Sequence, residues 1–258
     1  MPLEDLSFAL LGGIAGLLVG CVGIGGVIIV PALAYIAGVP LQTAIPAASA
    51  AYIVSGIIGT FTYASAGLVP WRMALPLLIA AMPAAVAGAA VSSIAPTRLL
   101  ELLIGLLAAT SGVQALKGEK PAIAGAPPVR DASHDLGPAK LGGIGAFTGF
   151  GSALTGTGGP LILVPLLMRL ECPVINAVGM AQVIQLPIAL LATGANAAAH
   201  LIEPRLAVLL AIGLAGGTWG GARIAHALPR ATLKRVVAAV LAVCGGGILL
   251  KVAVRALL

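Results

Sequence analysis

The chain is apolar almost from end to end, and that constrains its fold more than any single motif does. Eight apolar segments, at about 6–38, 42–66, 71–94, 98–116, 140–169, 174–199, 205–227 and 232–256, are separated by short polar or proline-containing breaks. A helix needs ~20 apolar residues to cross the hydrocarbon core of a bilayer. Only 9% of the residues are charged, against about 25% in a soluble domain. Strands of a membrane barrel would instead alternate over about ten residues. The pattern therefore specifies an all-α polytopic membrane protein with the lipid bilayer as its surroundings. The expected location is a bacterial inner (plasma) membrane.

The net charge of +6 does not point to nucleic acid. Lysines and arginines stand singly at the ends of apolar segments, where they face lipid headgroups. Cys21, Cys172 and Cys244 are odd in number and form no CxxC pair, and two of them lie in apolar segments, so buried free thiols are expected. The start, Met-Pro-Leu-Glu-Asp-Leu, lacks the basic region of a cleavable signal peptide. The first apolar segment is accordingly expected to stay in the mature protein.

Two glycine-rich stretches interrupt the apolar runs: Gly20-Cys21-Val22-Gly23-Ile24-Gly25-Gly26 and Gly156-Thr157-Gly158-Gly159-Pro160. Glycine weakens a helix interior by roughly 1 kcal/mol relative to alanine, and proline removes a donor. Such breaks in corresponding places of two halves point to a transporter's binding site.

The halves do correspond. A shift of 133 residues aligns Gly25-Gly26 with Gly158-Gly159, Pro40 with Pro173, Arg72 with Arg205, Gly88 with Gly221 and Pro96 with Pro229. This reads as an internal duplication. It gives a first transmembrane repeat at 1–116, a cytoplasmic linker at 117–139 rich in proline and charge, and a second repeat at 140–258.

Residues 6–38 are too long for one straight spanning helix and too short for two. Either each repeat opens with one broken spanning helix, giving parallel repeats, or it opens with a re-entrant helix pair followed by three crossings, giving inverted repeats. With the linker inside, the re-entrant arrangement places ten basic residues inside and four outside, and the alternative places eight and six. The positive-inside rule favours inverted repeats.

At the tips, Gly23, Gly25, Gly26, Gly156, Gly158 and Gly159 allow sharp turns and close approach of backbone to ligand. The helix after each tip aims its N-terminal amides and positive dipole end at what lies there, which suits an anion. Pro160 fits the first turn of such a helix. Thr155, Thr157 and Ser152 offer hydroxyls. Polar residues on neighbouring apolar segments are Gln42, Thr43, Ser49, Asn176, Gln182, Gln185, Thr193 and Asn196. Ser49 and Gln182, equivalent under the shift, are the leading contacts among them. The remaining glycines, such as Gly216 and Gly217, are expected to serve close helix packing. Arg72 and Arg205 read as interfacial anchors, and Glu101 as a helix-start carboxylate reaching the interface near Arg98.

No metal-ligand spacing, nucleophile–base arrangement or phosphate loop interrupts the apolar segments. The chain reads as no enzyme and calls for no cofactor.

The tip Gly16-Leu17-Leu18-Val19-Gly20-Cys21-Val22-Gly23-Ile24-Gly25-Gly26, running on to Val30-Pro31-Ala32-Leu33, resembles the TauE/SafE sulfite exporter family, the TSUP permeases. So do Gly67-Leu68-Val69-Pro70-Trp71-Arg72 and Gly217-Thr218-Trp219-Gly220-Gly221-Ala222-Arg223. The resemblance covers both halves. It implies transport of a sulfur-containing anion: sulfite, thiosulfate or an organosulfonate. Val27 and Pro160 depart from the family's third tip glycine, and Pro70 stands where aspartate is common. The expected activity is secondary transport by alternating access, the anion lying between the tips; an anion channel of the same architecture is the alternative. A coupling proton or sodium ion and a homodimer are both compatible with this reading, with no residue marked for either.

Overall fold

Where no water is available, backbone groups must be satisfied within the chain, and helices do this locally. The computed structural model describes residues 3–22, 26–116, 137–170, 172–224 and 245–250. In the first half, α1 (Leu3–Val22) is followed by a 3₁₀ turn (Gly26–Ile28) leading into the short α2 (Ile29–Tyr35). Then come α3 (Leu41–Ser65), α4 (Trp71–Ile94) and α5 (Thr97–Leu116). The second half repeats the order with α6 (Pro138–Thr155), α7 (Pro160–Arg169), α8 (Val174–Ala198) and α9 (Pro204–Ile224), and residues 245–250 are also helical. Most of the linker, residues 117–136, lies outside the described residues.

α3, α4 and Ile175–Ala198 of α8 are each long and apolar enough to cross a bilayer. Asp5–Gly20, Gly26–Tyr35 and Pro160–Arg169 are shorter apolar helices. Large side chains such as Phe61, Ile79, Phe147 and Ile212 are exposed, as a lipid-facing surface requires. The chain is a polytopic α-helical membrane protein. Prolines inside α3, α4 and α8 (Pro46, Pro76, Pro83 and Pro187) each remove one helical donor, which membrane helices tolerate when neighbours take up the freed groups.

The second helix break reverses the chain. A Cβ built on Gly151 of α6 would lie 2.8 Å from Cδ1 of Ile162 in α7. In a continuous helix, eleven residues would separate the two by about 16 Å. α7 therefore folds back along α6. With ten residues and a rise of 1.5 Å each, it is about half a bilayer long.

The two halves pack across one another. α1 runs along α9, α6 runs along α4, and α3 crosses α8. The contacts obey the same shift of 133. A Cβ on Gly12 would meet the Leu210 carbonyl, and one on Gly145 would meet the Leu77 carbonyl. Gly16 faces Leu214 and Gly149 faces Ala81; Gly221 faces Leu17 and Gly88 faces Phe150. These glycines let helix backbones touch, which is how small residues drive association in lipid. Gly217 also packs this way, against Gly13, whereas Gly216 has nothing within 4 Å. Cys172, between two apolar segments, is a buried free thiol.

A Cβ at Gly16 would sit 2.7 Å from the Leu214 carbonyl oxygen and 2.9 Å from the Thr218 nitrogen, both rigid backbone. Gly16→Ala is expected to destabilise by about 1–3 kcal/mol. Gly143→Ala, with nothing within 4 Å, should gain up to about 1 kcal/mol of helix propensity. Thermal unfolding in detergent ranks the pair, and equal midpoints would contradict the tight α1–α9 contact.

Candidate functional site

The second tip is built from local hydrogen bonds. α6 ends on Gly156, whose φ of 62° is left-handed and costs glycine little. Its N–H donates to the Ser152 carbonyl at 2.9 Å, satisfying one of the acceptors that a helix end leaves open. Gly158 has φ 75°, again in glycine's territory. Pro160 then opens α7 at its first position, where the missing donor costs nothing. Thr155 Oγ1 lies 2.7 Å from the Gly151 carbonyl and 2.9 Å from Thr157 Oγ1. The Thr155 proton goes to Gly151, so Thr157 donates to Thr155. Both hydroxyl protons are engaged within the tip.

The first tip meets the second at Gly26. A Cβ there would lie 2.7 Å from the Thr157 carbonyl oxygen and 2.9 Å from Tyr52 Oη. The Tyr52 hydroxyl donates to the Gly26 carbonyl. Gly26 is thus clamped between α3 and the opposite tip. Gly23 and Gly25 lie outside the described residues.

α3 and α8 supply the side chains behind the tips. Ser49, Tyr52 and Ser55 recur every three residues on α3, and Gln182 and Gln185 do the same on α8, so each set shares a face. All five are buried. Gln185 Nε2 donates to Ser55 Oγ at 2.6 Å and reaches the Tyr52 carbonyl at 3.5 Å. Ser49 Oγ donates to the Ile45 carbonyl of its own helix at 2.9 Å. Gln182 Nε2 reaches the Val19 carbonyl, near the end of α1, at 3.5 Å, and its Oε1 is buried without a partner.

Between these groups lies a small cavity of about 10 Å³. Ser49, Tyr52, Ser152, Gly158 and Gln185 form its polar lining, and Ile188 and Ala192 contribute to an apolar wall. The volume has room for about one water. No charged side chain lines it.

Of the residues singled out in the sequence, Ser49, Ser152, Gly158 and Gln185 reach the cavity. Gly159 lies behind it, with a notional Cβ 3.8 Å from Cα of Gln185. Gly26, Thr155 and Thr157 belong to the tips beneath, and Gln182 packs beside α1 and α3. Tyr52 was missed, although it stands three residues after Ser49 and at a shift of 133 from Gln185. Asn176 and Gln42 serve the scaffold instead. Asn176 Nδ2 donates to the Leu68 carbonyl at 3.0 Å, and Gln42 Nε2 to Thr97 Oγ1 at 3.0 Å. Arg205 is more than an anchor, since it pairs with Asp5 of α1 at 2.9 Å. Glu101 is buried at 6% exposure.

Tyr52→Phe would leave the Gly26 carbonyl without its donor. A buried acceptor orphaned in this way costs about 1–3 kcal/mol. The thermal midpoint of Tyr52→Phe in detergent is expected to fall accordingly, and an unchanged midpoint would show that this clamp contributes nothing.

Comparison with known proteins agrees with this architecture. The profile of the sulfite exporter TauE/SafE family matches residues 8–248. A "Probable membrane transporter protein" of Xylella fastidiosa strain Temecula1 is 31% identical over 172 residues, covering 65% of this chain and 64% of that protein. A protein of the same name from another strain of that organism is 29% identical over 214 residues, covering 81% of this chain and 80% of the relative. No solved structure matches the chain significantly. With a family match spanning nearly its whole length, the chain belongs to the TauE/SafE sulfite exporter family of membrane transporters.

Proposed function

We propose that the chain is a permease and not an enzyme: a secondary transporter of a small sulfur-containing oxyanion such as sulfite, thiosulfate or an organosulfonate. The observation that carries this reading is the uncharged polar cavity at the second tip, lined by Ser49, Tyr52, Ser152, Gly158 and Gln185. Neutral dipoles can hold an anion in an apolar interior without the fixed cation that would trap it. The N-terminus of α7, which opens two residues after Gly158, adds its positive dipole end.

A cavity with room for about one water is smaller than an anion of one sulfur and three oxygens, so binding requires the tips to part. That requirement favours a carrier cycle over an open pore. In this reading the repeats are inverted, each tip enters the inner membrane from its own side, and rocking of one half against the other alternates access.

Reconstituted protein is expected to take up labelled sulfite or thiosulfate into liposomes with saturation and counterflow. Gly158→Leu, strained at φ 75° and placed in the cavity wall, should cut that uptake at least about tenfold, because misplacing binding groups by ~1 Å costs on that order. Gly143→Ala should leave uptake intact. Unaltered uptake by Gly158→Leu would remove the site from this tip, and linear, non-saturating flux would favour the channel.

A further inference from the structure

The shift of 133 that pairs the helix contacts also has a consequence for the cavity. Applied to its wall, the shift takes Ser49 to Gln182, Ser152 to Val19, Ala192 to Gly59, Ile188 to Ser55, and Tyr52 and Gln185 into each other. These counterparts are gathered in space as the originals are. Gln182 Nε2 reaches the Val19 carbonyl at 3.5 Å. A Cβ on Gly59 would lie 2.8 Å from Cδ and 3.1 Å from Cβ of Gln182. Ser55 is held by Gln185 at 2.6 Å. These contacts repeat part of the first wall across the Tyr52–Gln185 contact, with one difference. Where Ser49 is short and leaves space, Gln182 is long and its carboxamide fills the space.

That carboxamide is poorly served there. Gln182 is 0% exposed, its Oε1 has no partner, and its Nε2 makes one long hydrogen bond. A buried polar atom without a partner costs about 1–3 kcal/mol, and the one long hydrogen bond to the Val19 carbonyl offsets only part of that cost. We infer that Gln182 is a built-in stopper in a second oxyanion-binding lobe, occupying the place that a second sulfur oxyanion would take. The inference rests on the anion-site reading of the first lobe. Removing the stopper leaves a lobe offering the Gln185 amide and the Ser55 hydroxyl, with Val19 in place of the Ser152 hydroxyl. The second lobe therefore binds more weakly than the first. Stoppered, the chain carries one anion at a time.

The test is the number of anions bound per chain. Purified full-length protein is titrated calorimetrically with sulfite, thiosulfate and methanesulfonate in turn, with chloride as the control anion. The expected counts for the sulfur anion that binds are one for the unaltered chain, two for Gln182→Ser with the second site several-fold weaker, and none for Ser49→Gln. Gln182→Ser combined with Gly59→Ala reproduces the Ser49–Ala192 pair and supplies the count where the single variant does not fold. One anion bound by both the unaltered chain and the Gln182 variants overturns the stopper and leaves the first lobe standing. Zero bound by the unaltered chain overturns the anion-site reading, and the stopper with it.

Discussion

Backbone contact between helices at glycine holds this protein together, and it runs across the two halves rather than within them. Gly12 and Gly16 of α1 lie against Leu210 and Leu214 of α9, and Gly145 and Gly149 of α6 lie against Leu77 and Ala81 of α4. Lipid chains are as apolar as leucine, so burial alone gives helices no reason to associate in a membrane. Short-range dispersion does, and it falls steeply once a side chain separates two backbones. The glycines remove that separation. As a result each half's first helix is committed to the other half, and both helix breaks arrive at the same place.

That place would be costly if the broken backbone were unsatisfied. Each opened turn leaves carbonyls that no water can reach. Gly156 N–H covers the Ser152 carbonyl, the Tyr52 hydroxyl covers that of Gly26, and Gln182 reaches that of Val19. Tyr52 of α3 and Gln182 of α8 are therefore first of all repairs to interrupted helices. The candidate site is the space those repairs leave between them. Its neutrality follows from the same source, since hydroxyls and amides can satisfy carbonyls and amides without placing a charge in the core.

Several residues carry their meaning in this arrangement and not in their identity. Thr155 and Thr157 look like free hydroxyls at a tip, yet they bond to Gly151 and to each other. Tyr52 looks like one more large core residue, and it joins α3 to the first tip. Ser49 and Gln182 occupy equivalent positions and do opposite things, one leaving room and the other filling it. Arg205 has its acid, Asp5, on a helix two hundred residues earlier, whereas the residue equivalent to Asp5 is Pro138.

The sequence alone determined the membrane class, the positions of the helices, the internal shift of 133 and the two breaks. These follow from properties read along the chain: long apolar runs, glycine and proline where a helix cannot use them, and a repeated order. The family also followed, because its motif spans the tips. Only the tertiary structure decided that α7 folds back on α6, that the halves interlock through α1 with α9 and α6 with α4, and that Tyr52, Ser152 and Gln185 share a cavity with Ser49 and Gly158. The reason is physical. A hydrogen bond between α3 and a tip, or a carbonyl resting on a glycine of the other half, depends on where two helices cross, and pairs such as Ser55 and Gln185, 130 residues apart, meet only there.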